Sequence, residues 1–277
     1  MRPILSRMLL LVCLLGSQIA LATEPLKIGV LPYNSALALL KVHAPLRDYL
    51  SQRLGRPVEV VTSPDFFTYI NDSLDGRFDV LITAPHFSVM SIDKGYVPVR
   101  RYSAPLEASL VVAHSSTLTD ASALRGKRVA IASRLAVISI GGLRWLQERG
   151  LEPSRDYQVV EYPSHAAALA AVAVGEADAA LVSNTMIPQT PADIRGQLKV
   201  LPTAIRLPHL MTLAHPRLGT QTIQALGKAL DEFPAQPAGQ AYLSNTGFGG
   251  YAPIRPEDLQ ALRPHVQIAR SMMGLKP

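Results

Sequence analysis

Four short clusters of hydroxyl, amide and imidazole side chains stand directly after apolar runs. They are Tyr33-Asn34-Ser35, Thr83 with Pro85-His86-Phe87, Ser164-His165, and Ser183-Asn184-Thr185. A fifth group, Ser133-Arg134 with Ser139, follows the run that ends at Ala132. Groups of this kind donate hydrogen bonds to a bound oxyanion, or they form nucleophile and base pairs. The second chemistry lacks its usual surroundings: the sequence has no Gly-x-Ser-x-Gly elbow and no Gly-x-x-x-x-Gly-Lys phosphate loop. Ser139-Ile140-Gly141-Gly142 is a small-residue cluster suited to helix packing. The seven histidines show no helical pairing with an acid that would complete a metal set, so neither metal nor cofactor is expected.

Regular elements must hold these clusters. Leu26–Pro32 reads as a buried strand, 36–54 as a helix closed by Gly55, and 58–61 as a second strand. A helix over 66–74, a strand over 79–82 and a helix over 90–94 follow. This β-α-β-α-β-α order predicts a mostly parallel sheet with helices on both faces. After a strand over 108–113 the rhythm restarts: a short helix over 118–124, strand 127–132, helix 138–149, strand 157–162, an alanine-rich helix 164–174 and strand 178–182. Strands over 198–201 and 210–214 and helices over 220–233 and 256–262 form a returning tail, with Gly247–Tyr251 as a loop. Two similar blocks and a return predict two lobes crossed near 104–114 and 200–212. Gly76–Thr83 also echoes Gly175–Ser183: a helix ends at glycine and an aspartate opens an apolar strand. The clusters then fall at the carboxyl ends of parallel strands, where α/β sheets bind ligands.

The N-terminus has its own pattern. Arg2 and Arg7 precede the apolar run Met8–Leu15, and Ala20-Leu21-Ala22 fits a signal-peptidase site, so 1–22 is expected to be a cleaved secretory signal. Its removal takes away Cys13, the one cysteine, and with it any thiolate chemistry or disulfide. Taking Arg2 and Arg7 from the 27 basic residues leaves 25 against 21 acids. That mild excess is spread along the chain, without the dense basic block a nucleic-acid partner would ask for.

With this layout in view the chain resembles the type II periplasmic solute-binding proteins, and within them the phosphate, phosphite and phosphonate-binding group of ABC transporters. The marks are Ile28-Gly29-Val30-Leu31-Pro32, then Pro45-Leu46, Tyr49-Leu50 and Leu54-Gly55, then Gly76 to Pro85. They continue through Leu124-Arg125-Gly126-Lys127-Arg128-Val129-Ala130, Gly150-Leu151-Glu152-Pro153, Ser164-His165-Ala166-Ala167, and Ala171-Val172 with Gly175 to Ala180. The resemblance covers nearly all of the chain beyond the leader and rests on order and spacing together. It implies an α/β fold of two Rossmann-like lobes with mostly parallel sheets joined by a two-segment hinge. Lobe 1 would comprise 23–108 and 204–277, and lobe 2 would comprise 109–203. It further implies a periplasmic monomer with no catalytic chemistry, which closes on a small anionic ligand and passes it to an inner-membrane ABC permease. The ligand would be a phosphonate- or phosphate-like oxyanion or an organic acid. Two rivals are a sensor that signals to a membrane receptor kinase and a small-molecule enzyme on the same scaffold.

Carried over residue by residue, the resemblance implies ligand contacts from Tyr33, Asn34, Ser35, Thr83, Pro85, His86, Phe87, Ser133, Arg134, Ser139, Ser164, His165, Asn184 and Thr185. Ser164-His165 matches the group's Ser-His pair, and Asn184 stands where the group often has an acid. One segment departs from the pattern. The group's Ser-Thr-Ser-Gly type anion loop is here Ser133-Arg134-Leu135-Ala136-Val137-Ile138-Ser139. Arg134 is one replacement source of positive charge, and a carboxylate, an organic anion or a mixed apolar and polar ligand stands beside a phosphonate. Each residue also has a plainer role: Tyr33 and Phe87 as core, His165 as decoration of a helix start, Arg134 as a solvated charge. His209 is expected to pack near the second crossing, and His43, His114, His215 and His265 to lie on the surface.

Overall fold

The computed structural model describes residues 24–276, so the expected signal segment 1–22 lies outside the described residues. The first run of elements is β1 (Leu26–Val30), α1 (Ala36–Leu54), β2 (Val58–Val61), α2 (Phe66–Leu74), β3 (Val80–Thr83), α3 (Pro85–Asp93) and β4 (Val97–Tyr102). The chain then crosses to β5 (Leu106–Ala113), a 3-10 turn at Ala121–Leu124, β6 (Arg128–Ile131), α4 (Val137–Gln147), β7 (Gln158–Glu161) and α5 (His165–Ala173). That second run ends with β8 (Ala179–Ser183), the short helices α6 (Met186–Gln189) and α7 (Ala192–Arg195), and β9 (Leu198–Leu207). It returns through β10 (Met211–Ala214), α8 (Gly219–Glu232), α9 (Pro237–Thr246), β11 (Tyr251–Ala252) and α10 (Pro256–Met272).

These strands form two sheets, ordered β11-β4-β10-β3-β1-β2 and β7-β6-β8-β5-β9. In each, three parallel strands continue into an antiparallel one: β10 against β3 in the first, β5 against β8 in the second. Each sheet with its helices makes one lobe, the α/β architecture expected for two Rossmann-like halves. The echo between Gly76–Thr83 and Gly175–Ser183 has a structural meaning. Asp79 accepts the amide of Lys27 at the start of β1 (2.9 Å), and Asp178 accepts that of Arg128 at the start of β6 (2.8 Å). The same carboxylate stitches the same parallel pair in both lobes.

The crossings run between Tyr102 and Leu106 and between Leu207 and Met211. The expected boundaries at 108/109 and 203/204 therefore fall inside β5 and β9, because both strands pair along their length in the second sheet. Residues 247–251 pack against the first crossing: Ser103 N–H donates to Gly250 O (2.8 Å) and Ala104 N–H to Phe248 O (3.2 Å). Gly249 is required there, since its φ is +68° and a Cβ would stand 2.8 Å from Ala104 N.

Several elements differ from the sequence expectation. The helix expected over 90–94 starts at Pro85, at the first helical position where proline is well tolerated. The helix expected over 118–124 is only a 3-10 turn. β4 carries Pro98, Arg100 and Arg101, which mask its strand character; Arg100 pairs with Asp231 and Arg101 with Asp258 (3.0 Å). α10 continues through Pro264 to Met272 because Leu262, Val266 and Ala269 keep one buried face on α3.

Candidate functional site

Where the carboxyl ends of β1 and β3 face the second lobe, the protein encloses a cavity of about 30 Å³. Lobe 1 contributes Leu31, Tyr33, Phe66, Ala84, Leu210 and Phe248; lobe 2 contributes Leu106, Ala136, Val137, Ile138, His165, Ser183, Thr185 and Met186. No Lys, Arg, Asp or Glu is among these described residues, so the electrostatics of the site come from dipoles.

Two helices aim at this space. α3 and α4 begin at Ala84 and Ala136, neither of which offers a side-chain acceptor to the first-turn amides. α1, α2 and α5 are capped by Ser35, Asp65 and Ser164. Both alanine caps line the cavity. An uncapped first turn presents free N–H groups and the positive end of the helix dipole, which suits an anion. Polar side chains are poised nearby. His165 Nδ1 and Ser139 Oγ are buried with no hydrogen-bond partner among the described residues. The hydroxyls of Ser183 and Thr185 bond each other at 2.7 Å.

Behind Tyr33 runs a buried chain of hydrogen bonds. Tyr33 Oη lies 3.0 Å from His43 Nε2, Tyr242 Oη lies 3.1 Å from His43 Nδ1, and Tyr242 and Tyr102 share a 2.6 Å bond. Burial pushes His43 down to about 3, so its ring is neutral, with one donor and one acceptor nitrogen. Burial likewise pushes His165 down to about 4 and raises the Tyr33 phenol. Phe248 packs against Tyr33, Tyr102, His209 and Tyr242, closing the floor.

The lobes also touch directly. His86 Nε2 lies 2.9 Å from Leu135 O across the cleft. A carbonyl only accepts, so Nε2 carries the proton and donates. His165 N–H donates to Tyr33 O at 3.3 Å, and Gln189 Nε2 to Thr246 O at 3.4 Å.

Of the residues singled out from sequence, Tyr33, His165 and Thr185 line the cavity. His86 holds the opposite lobe, stacked on Phe87 at 4.0 Å. Thr83, Pro85, Phe87 and Ser139 are buried around the helix starts without lining the space. Others are engaged locally. Asn34 Oδ1 accepts from Ser35 N–H (2.8 Å), Ser35 Oγ from Ala38 N–H (3.3 Å) and Ser164 Oγ from Ala167 N–H (3.2 Å). Asn184 ties β8 to the first crossing, accepting from Glu107 N–H (3.0 Å) and donating to Pro105 O (3.3 Å). Ser133 Oγ accepts from Leu135 N–H (3.2 Å). Arg134, considered as a replacement anion contact, instead pairs with Glu161 at 2.9 Å with about half its side chain in solvent.

The sequence reading missed His43, Tyr242, Phe248 and most of the apolar wall. His43, expected on the surface, is fully buried. A signal for it existed: Leu39, His43, Leu46 and Leu50 share one helical face. Phe248 had none, since its loop reads as irregular and its position is set by contacts distant in sequence.

A family model described as "ABC transporter, phosphonate, periplasmic substrate-binding protein" matches residues 28–259. The structure is similar to PhnD1 from Prochlorococcus marinus in complex with methylphosphonate, with a TM-score of 0.78 and 14% identity over 90% of this chain and 98% of that one. It is also similar to a binding protein component of an ABC phosphonate transporter from Pseudomonas aeruginosa (TM-score 0.76, 14% identity, 89% and 87% covered). The periplasmic aliphatic sulphonate binding protein SsuA from Escherichia coli follows at a TM-score of 0.60, 19% identity, and 92% and 94% covered. At these identities the likenesses show the fold.

Proposed function

The chain belongs to the phosphonate periplasmic substrate-binding proteins of ABC transporters, and from that premise we propose that it captures a small organic oxyanion by closing two lobes over it. One observation carries this reading: a single buried cavity takes an uncapped helix start from each lobe, Ala84 from one and Ala136 from the other. The first-turn amides of α3 and α4 hold the anionic head. Tyr33, His165 and the Ser183-Thr185 pair supply further hydrogen bonds. A dry cleft strengthens each such contact. A ligand bound from both sides favours the closed form over an open one, and the 103–105 and 208–210 segments serve as the hinge. The protein works as a monomer in the periplasm, after loss of residues 1–22, and delivers its cargo to an inner-membrane permease.

The test pairs calorimetry with small-angle scattering, using methylphosphonate, methanesulfonate and propionate as probes. Binding of at least one, with a smaller radius of gyration, is the expected result. His165→Ala should weaken that binding by ~1–3 kcal/mol. Full affinity in that variant removes His165 from the site, and failure of all three probes and of their longer-chain homologues to bind or compact the protein overturns the capture reading.

A further inference from the structure

We propose that the natural cargo is an organoanion whose hydrocarbon substituent is longer than methyl, with its head on the two helix starts and its tail leaving past Phe66 between the lobes. The proposal rests on the capture reading above and adds the class of ligand.

The wall comes first. Leu31, Phe66, Leu106, Leu210 and Phe248 face the cavity. Where side-chain hydroxyls would crowd around an inorganic oxyanion, Val137 and Ile138 stand instead. Phosphate presents oxygen on every side, and oxygen set against hydrocarbon loses its hydrogen bonds to water with nothing in return. An organoanion avoids that cost by turning its oxygens to the amides and its carbon to the wall.

Size comes second. About 30 Å³ holds only two or three water-sized groups, so a tail must lead elsewhere. A second space lies next to the cavity. A groove of about 270 Å³ shares Phe66 with it and runs between Phe67 of lobe 1 and Leu135 and Pro163 of lobe 2. Phe67 is 51% exposed, an unusual outlay of aromatic surface. The polar residues of the groove are already engaged. Asp65 caps α2, Glu161 pairs with Arg134, and Ser133 turns back on Leu135. Between these engaged groups lies the apolar surface of Phe66, Phe67, Leu135 and Pro163, which suits an alkyl or aryl tail.

The test is calorimetry of the intact protein with n-alkylphosphonates from methyl to hexyl, repeated with n-alkanesulfonates and n-alkanoates so that the head may vary. Affinity should rise about fourfold for each methylene that enters the groove in at least one series. Phe67→Ala, at an exposed position the fold does not need, should reduce binding of the hexyl member more than that of the methyl member, with unchanged circular dichroism. Methyl members that bind as tightly as hexyl ones overturn the tail while leaving capture intact. An equal effect of Phe67→Ala on both members counts against the groove as its path. If no member of any series binds, the proposal falls together with the reading it rests on.

Discussion

His43, His86, His165 and His209 are all buried, and burial pushes them down to about 3, 3, 4 and 3 respectively. In the unfolded chain each returns to about 6.5. Between those limits the unfolded state binds more protons than the folded one, so stability rises with pH. The contribution is fully present above the unfolded value and is lost as pH falls from about 6.5 toward the folded values. Going from pH 7.5 to 5.5 costs each histidine about 1.4 kcal/mol, and the four together ~5 kcal/mol. That is a large share of a typical stability of roughly 5–15 kcal/mol, and it corresponds to a fall in Tm of roughly 10–20 °C. Asp120, Asp156 and Asp178 are held below the ordinary carboxylate value and do not confuse this window. Asp156 is pushed down to about 2, chiefly by its bond from Arg155, so its contribution is lost only below the ordinary carboxylate range. Urea denaturation at pH 7.5, 6.5 and 5.5, followed through the fluorescence of the single tryptophan, Trp145, reads the effect. Uptake of fewer than about one proton on unfolding at pH 5.5 would refute the reasoning, since it would mean that the rings are charged or solvated in the folded protein.

Three further outcomes follow from packing and charge. Phe248→Ala should cost ~3–5 kcal/mol in chemical denaturation, because the ring is buried among Tyr33, Tyr102, His209 and Tyr242; a loss under about 1 kcal/mol would mean that the floor collapses to refill the space. Arg134→Ala should cost no more than ~1 kcal/mol and leave the affinity for short anions that do not reach the groove unchanged, as expected for an exposed pair with Glu161; calorimetry with methylphosphonate, methanesulfonate and propionate checks this. Gly239→Ala should lose ~3 kcal/mol or more, since its Cβ would stand 1.8 Å from Phe233 O, a backbone atom that cannot swing aside; a melting curve like that of the parent would show that α9 shifts freely.

The strand and helix order of both lobes was legible because it depends on local pattern. Val80–Ile82 and Ala179–Val182 are continuous apolar runs between polar residues, and Leu26–Val30 is apolar but for Lys27 and Gly29; such runs read as buried strands. β4 was not legible. Its Arg100 and Arg101 become acceptable in a strand only through Asp231 and Asp258, more than a hundred positions away. The continuation of α10 past Pro264 depends similarly on α3. The candidate site divides along the same line. The clusters at strand ends were visible, and Tyr33, His165 and Thr185 do line the cavity. Whether a hydroxyl faces the cleft or caps its own helix is decided by local geometry that Ser35, Ser164 and Thr185 share in sequence but not in space.

The departure at Ala136-Val137-Ile138 shows why a binding site of this kind can change its ligand without changing its fold. The positive end of α4 is made of main-chain amides, which every residue except proline supplies. Replacing hydroxyl side chains with methyl-bearing ones therefore removes some donors and keeps the rest. The helix start stays aimed at the cavity because Ile140 and Leu146 hold α4 in the core of its lobe, and that packing is independent of what the first turn carries. On the proposed reading, anion preference and tail preference sit on separate parts of the same segment: the backbone sets the first and the cavity-lining Val137 and Ile138 set the second. A sequence comparison that scores hydroxyls would register a lost anion site. Under the capture reading proposed above, the same segment is an anion site with a drier wall, which disfavours ligands with oxygen on every face and favours those with carbon on one.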